Sequence, residues 1–257
     1  MIVFKELYKY RELLKTNIKK EIRGKYKGSW LGIIWTFLNP LLQLLVYSFV
    51  FPYILRIQVE NYTVFTIVAL VPWTFFTAAI QNGSGSIIGE AGIIKKVYFP
   101  REIIPISVVF SSLVNFLITC IIMFLFIIFS GIGFTKYILL FPLIVLIQTI
   151  FTLAFTFVLS AITVYIQDIG HFVSIVLMLA FYATPIVYTG ELLPEKFQWI
   201  LRANPMTHVI NAYRDILFYH NNPDFKGIFI LGVISIIGLF IGYKIFKKLE
   251  KNFAEEL

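Results

Sequence analysis

Ile103-Ile-Pro-Ile-Ser-Val-Val-Phe-Ser-Ser-Leu-Val-Asn-Phe-Leu-Ile-Thr-Cys-Ile-Ile-Met-Phe-Leu-Phe-Ile-Ile-Phe129 is a run of 27 residues without one Asp, Glu, Lys or Arg. The hydrocarbon core of a bilayer, about 30 Å thick, asks about 20 apolar residues of a helix that crosses it. Five further charge-free runs flank this one, at 31–55, 62–82, 137–167, 169–188 and 227–243. The run at 137–167 has 31 residues, too many for one simple span, so part of it is expected in the interface or in a tilted helix. The break before 169–188 rests on Asp168 and Gly170 alone. Composition agrees: of 257 residues 59% are hydrophobic and 14% charged, against about 25% charged in a soluble domain. The expected fold class is all-α, a polytopic membrane protein with six transmembrane helices. Thirty mostly polar residues precede the first run, which is itself too long for the apolar core of a cleavable signal peptide.

A net charge of +8 on a soluble protein would suggest a nucleic-acid partner. Here the charge is sorted by connection. The tail 1–30, the loop 83–102 and the C-terminal tail carry sixteen of the Lys and Arg residues, and the alternate connections carry six. That asymmetry orients both termini toward the cytoplasm and sets nucleic acid aside. One cysteine allows neither an intrachain disulfide nor a cysteine-based metal cluster.

The segments outside the runs are patterned. Phe4, Leu7, Leu14, Ile18, Ile22 and Tyr26 recur at helical spacing, with Lys5, Lys9, Arg11, Lys15, Lys19, Lys20 and Arg23 on the other faces. This predicts an amphipathic helix along the inner leaflet, with its cations toward anionic headgroups. It serves either as an anchor or as a docking surface. The Gly-Ser stretch at 83–86 has no following Lys-Ser/Thr and fails the P-loop pattern, so it reads as a flexible lead into a short helix. The connection 189–226 is apolar for a loop. Phe197, Trp199, Ile200 and Leu201 predict one short helix. Asn204-Pro205, an N-cap followed by proline at the first helical position, opens a second one carrying Val209, Ile210, Tyr213, Ile216 and Leu217.

Ion-driven pumps place carboxylates or bases at mid-membrane depth; the six runs contain only His171. The scattered His171, His208 and His220 fit interfacial hydrogen bonding better than a metal site. Glu191, Glu195, Asp215 and Asp224 could in principle serve as acid and base. Lys196, Arg202, Arg214 and Lys226 lie near them in sequence, which favours paired surface carboxylates. Inside the runs the notable pattern is polar and aromatic. Trp35, Asn39, Gln43 and Tyr47 repeat every four residues, and Ser174, Met178, Tyr182 and Pro185 make a similar face that ends with Tyr188. These faces suit either helix packing or the wall of a pathway for a polar, partly hydrophobic solute such as a sugar.

The junction Arg23-Gly-Lys-Tyr-Lys-Gly-Ser-Trp-Leu-Gly32, continuing through Trp35 to Asn39-Pro40, resembles the opening of type-2 ABC exporter permeases that move cell-surface polysaccharide. So do Lys95-Lys-Val-Tyr-Phe-Pro-Arg-Glu102 and Asn204-Pro-Met-Thr with Tyr213-Arg214. An Arg-Asp pair usual in that family before the fifth span is Gln167-Asp168 here. Within the family the likeness is to lipopolysaccharide O-antigen exporter permeases, with teichoic-acid and capsule exporters as relatives. The resemblance implies a single permease domain over 1–257, in the bacterial inner membrane. It would work as a homodimer with two ATPase subunits that hold ATP and Mg, with no cofactor or catalytic residue in this chain. Its cargo would be a polysaccharide on a polyprenyl-diphosphate lipid. The first and fifth spans would line the channel, making Trp35, Asn39, Gln43, Tyr47, Met178, Tyr182 and Tyr188 pathway candidates. The loop 83–102, with Glu90, Lys95, Lys96 and Arg101, would meet the ATPase. The helices around Trp199 and Tyr213 would gate the external side.

Overall fold

In hydrocarbon a backbone has no water to bond, so a spanning segment must close its own hydrogen-bond ladder. The computed structural model describes residues 9–257, and among them there are helices and no strands. Phe4, Lys5, Leu7 and the Tyr26 side chain lie outside the described residues. The main helices are α1 (Arg11–Tyr26), α2 (Trp35–Phe49), α3 (Tyr62–Ser84), α4 (Ile103–Phe129), α5 (Phe141–Tyr165), α6 (Ile169–Tyr182), α7 (Gln198–Ala203), α8 (Pro205–Leu217) and α9 (Phe225–Leu249).

Among the described residues five segments are long and apolar enough to cross a membrane: α2 with the turns that flank it, α3, α4, α5 and α9. The long fourth run divides into a 3-10 turn, Lys136–Leu140, and the 25-residue α5. The fifth run behaves differently. Its helix, α6, has 14 residues, which at 1.5 Å each span about 21 Å of a core about 30 Å thick. Residues 183–188 continue without helix, although Thr184, Pro185, Ile186 and Val187 are buried.

The hub is α3, buried along most of its length and packed against α2, α4, α5, α6 and α8. The most extensive helix pair is α5 with α9. They approach closely where Gly242 presents no side chain to α5: a Cβ there would sit 2.6 Å from the Ala154 carbonyl oxygen, while Gly238, four residues earlier, faces the Ala154 methyl. Small residues four apart are how membrane helices bring backbones together.

At one end of the bundle, Leu13 and Leu14 of α1 pack on a cluster that includes Ile87, Ile94, Phe99, Ile104, Phe246 and Phe253. The start of the described chain, the second connection and the C-terminal tail therefore share that end. The cations Lys15, Lys19, Lys20 and Arg23 stay on the exposed face of α1, as an amphipathic helix requires. At the opposite end, the Asn204 side chain accepts the Met206 N–H at 3.0 Å, and Pro205 takes the first helical position. The α8 helix then lays its apolar stripe across α3, α5 and α9.

Candidate functional site

Between α1, α2, α3 and α4, toward the end with the tails, lies a cavity of about 630 Å³. Trp35, Asn39 and Gln43 of α2 open into it. Facing them are Thr74, Thr77, Gln81 and Asn82 on α3, and Ser111, Ser112, Asn115 and Thr119 on α4. Several hydroxyl protons are spent within their own helices: Thr74 donates to the Val71 carbonyl at 2.8 Å, Ser111 to Val108 at 2.9 Å and Thr119 to Asn115 at 2.9 Å. The oxygens keep accepting capacity, and the amides supply donors as well. No ionisable side chain from α2, α3 or α4 lines the cavity. Among the described residues charge appears only at the α1 rim, from Lys20, Glu21 and Lys25. Burial pushes the Glu21 carboxyl up, helped by the neighbouring charge of Glu90, and burial lowers the Lys25 ammonium. The wall is thus neutral and mixes hydrogen-bonding groups with apolar ones, Trp35, Phe75 and Phe116 among them, and suits polyhydroxylated solutes better than ions.

The other pathway candidates stand elsewhere. Tyr47 is half-buried against Phe51 and Phe181, its ring centroid 5.7 Å from that of Phe181, so α2 and α6 touch at the end far from the tails. Met178 and Tyr182 point off the bundle, Tyr182 being 66% exposed. Tyr188 is half-buried and donates its hydroxyl to the Tyr182 carbonyl at 2.8 Å.

The second connection splits in two. Lys95 and Lys96 are exposed beside Val97 and the 93%-exposed Tyr98. Glu90 and Arg101 are engaged internally. Glu90 accepts from Lys20 of α1 at 2.5 Å; Arg101 donates to the Glu250 carbonyl and lies over the Phe253 ring. Next to it the buried Glu102 pairs with Lys247 at 2.9 Å, and Lys247 also holds Glu250 at 2.9 Å. This network fastens the connection to the C-terminal tail.

The two gate candidates part company. Trp199 on α7 is 64% exposed. Tyr213 is fully buried: its hydroxyl donates to Gln148 Oε1 at 2.9 Å, and Gln148 Nε2 donates to the Pro72 carbonyl at 2.8 Å. Tyr213 ties α8 to α5 and α3, and its ring does not face an opening.

The surface-pair expectation for Arg214 is corrected by its burial. Its guanidinium lies 3.5 Å from the centroid of Phe65 and donates to the carbonyls of Phe65, Pro185 and Ile186. None of the ion pairs among the described residues involves Glu191, Glu195, Asp215 or Asp224. Burial, with the charge of Asp224 nearby, pushes the Asp215 carboxyl up to about 6. His208 and His220 meet the backbone carbonyls of Arg202 and Gly133. Among the described residues no group of His, Cys, Asp or Glu is arranged to hold a metal.

Residues 12–218 match the family model for the ABC-2 type transporter. The chain belongs to the ABC-2 type transporter family. It is also 36% identical over 255 residues to an O-antigen export system permease protein, RfbA, of Myxococcus xanthus, covering 98% of each chain. A protein of the same description from Klebsiella pneumoniae is 39% identical over 248 residues, covering 96% of this chain and 95% of the relative. The polysialic acid transport protein KpsM of Escherichia coli is 21% identical over 241 residues. This ABC-2 protein is a multi-pass membrane protein. The family match takes in the cavity, the unwound segment and α8, and ends at Phe218, before α9 begins.

Sequence reading found the α2 side of the cavity and missed its other walls. The signal was present: Thr74, Thr77 and Gln81, and Ser112, Asn115 and Thr119, recur at three and four residues along otherwise apolar helices. Nothing local marks Arg214 as buried, because its partners lie 28 and 29 residues earlier at Ile186 and Pro185 and 149 residues earlier at Phe65.

Proposed function

We propose that this chain is the membrane-spanning subunit of an ATP-driven exporter that carries a lipid-linked polysaccharide of O-antigen type outward across the bacterial inner membrane. The observation that carries this reading is the near-full-length similarity to O-antigen export permeases, in a chain whose α2–α4 cavity wall is neutral and hydrogen-bonding. Two copies form the channel around a two-fold axis, and two P-loop ATPase subunits, which hold ATP and Mg, dock on the tail-bearing end. Both termini then face the cytoplasm, in agreement with the distribution of Lys and Arg. The six-span count is completed by α6 with its unwound continuation, and α7 and α8 cap the external side.

Each part of the geometry has a task in this reading. Lys95, Lys96, Val97 and Tyr98 offer the ATPase a mixed basic and apolar surface. The Arg101–Glu250 and Glu102–Lys247 contacts carry its displacement into α9. Trp35, Asn39 and Gln43 meet sugar rings on the cytoplasmic side, while the α1 cations stand where a diphosphate would lie. Tyr182 and Tyr188 meet the glycan further out. Contacts of one sugar ring with one aromatic ring are made and broken singly, which leaves a polymer free to slide between steps.

Expression with the partner ATPase, scored for surface polysaccharide, tests the reading. Export should require a hydrolysis-competent partner, and equal surface glycan with a hydrolysis-dead ATPase would overturn it. The 21% likeness to a polysialic acid transport protein supports a second reading, in which the same architecture moves a capsule-type glycan. Analysis of which glycan is lost on deletion separates the two.

A further inference from the structure

Residues 183–188 pose an accounting problem. Thr184-Pro185 ends α6, because proline has no N–H and disfavours helix in the residue before it. The segment beyond is not helical, so its carbonyls have no intrahelical partner, and residues 184–187 are also buried away from water. At membrane depth irregular backbone persists only where protein groups satisfy it.

Every carbonyl from Tyr182 to Val187 has a donor. Tyr182 accepts from the Tyr188 hydroxyl at 2.8 Å, Ala183 from Asn204 Nδ2 at 3.1 Å and Thr184 from the Ile186 N–H at 2.7 Å. Pro185 accepts from Arg214 Nη1, Ile186 from Arg214 Nη2 at 2.6 Å and Val187 from the Tyr62 hydroxyl at 2.7 Å. Arg214 is the only one of these donors to hold two consecutive carbonyls. Its Nε also donates to the Phe65 carbonyl at 3.3 Å, and its plane lies on the Phe65 ring. A planar fork with five fixed donors does this; a lysine ammonium does not. One side chain of α8 therefore fastens the end of α6 to α3.

We infer that Arg214 is a positioning residue for export: by holding the unwound end of the fifth span it sets where Tyr182 and Tyr188 stand in the glycan path. The inference rests on the pathway reading of those two tyrosines. It gives the buried guanidinium a reason beyond stability, since an isolated buried charge is costly and this one is spent on the backbone between the exposed Tyr182 and the half-buried Tyr188.

The test uses the whole transporter in membranes and a cysteine reporter. The chain's one cysteine, Cys120, is buried, so an Ala183→Cys parent reports on the break itself when treated with a membrane-impermeant maleimide. In that parent, Arg214→Gln should raise labelling several-fold and lower surface glycan at least tenfold, with the transporter still assembled with its ATPase. Arg214→Lys should fall between. Parent-level export by Arg214→Gln overturns the inference, as does reduced export with unchanged labelling, which marks a loss of folded protein only. Should Arg214→Gln not accumulate, Tyr62→Phe and Arg214→Lys decide: parent-level labelling and export in both overturns it. Normal export by Tyr182→Ala would defeat the pathway reading instead, while labelling would still report whether Arg214 holds the break.

Discussion

A fully buried tyrosine hydroxyl needs an acceptor, and the one Tyr213 has found, Gln148, is itself buried and bonded onward to the Pro72 carbonyl. Tyr213→Phe leaves Gln148 Oε1 without that donor, at a cost of about 1–3 kcal/mol. Thermal unfolding of the purified chain should shift down accordingly, while export per folded molecule stays unchanged. A residue that gated by its ring would show the reverse. Asp215 makes a second prediction. Its folded-state pKa, about 6 against an ordinary 3.8, means that the native state binds its proton more readily than the unfolded one. Stability therefore rises as pH falls through 6 and is fully regained below the unfolded value. Asp215→Asn should raise the unfolding temperature at pH 7.5 and leave it unchanged near pH 3.5, with Asp224 and His208 still facing the site. Trp35, Asn39 and Gln43 were legible in the sequence because amides and an indole at four-residue spacing stand out in an apolar run. Thr74 and Ser111 leave a fainter mark: hydroxyls in membrane helices so often bond their own carbonyls that only the recurrence with Thr77, Gln81 and Asn115 at three and four residues sets them apart.

At the scale of elements, the charge-free runs announced the long helices, and Asn204-Pro205 announced α8, because capping is a local matter of side chain and backbone. The end of α6 was not announced. Thr184-Pro185 allows a kink, a stop or an unwound stretch, and the choice is made by donors from α3 and α8 that sequence order keeps apart. Helix contact through glycine is also decided by the partner. Gly242 meets the Ala154 carbonyl oxygen, whereas a Cβ at Gly238 would rest at 3.5 Å from the Ala154 methyl, ordinary contact distance. Gly242→Ala should destabilise the α5–α9 pair by about 1–3 kcal/mol, the usual effect of overfilling a packed site. Gly238→Ala should be near neutral. Unfolding temperatures of the two variants, measured side by side, check the contrast.

For the molecule as a whole, the apolar surface of α2, α6 and α9, with Leu45, Phe49, Ile175, Leu179, Phe229 and Phe240 turned outward, is covered by lipid or by a second copy. A two-fold pair contains the α2–α4 cavity twice, once in each protomer. A glycan has a beginning and an end and no two-fold axis of its own, so a single strand on the axis cannot present the same face to both cavities at once. In the proposed homodimer one cavity would be in use while its twin waits, and the pair would work asymmetrically although built symmetrically. The N-terminal helix and the C-terminal tail share one end of the bundle, so two copies can be joined in tandem. A tandem pair with Trp35→Ala in one half should keep about half of the export of the unaltered pair, because symmetry supplies a second equivalent site, whereas the doubly altered pair should lose several-fold. The wall around Trp35 thus turns a question of sugar binding into one of turn-taking between identical halves.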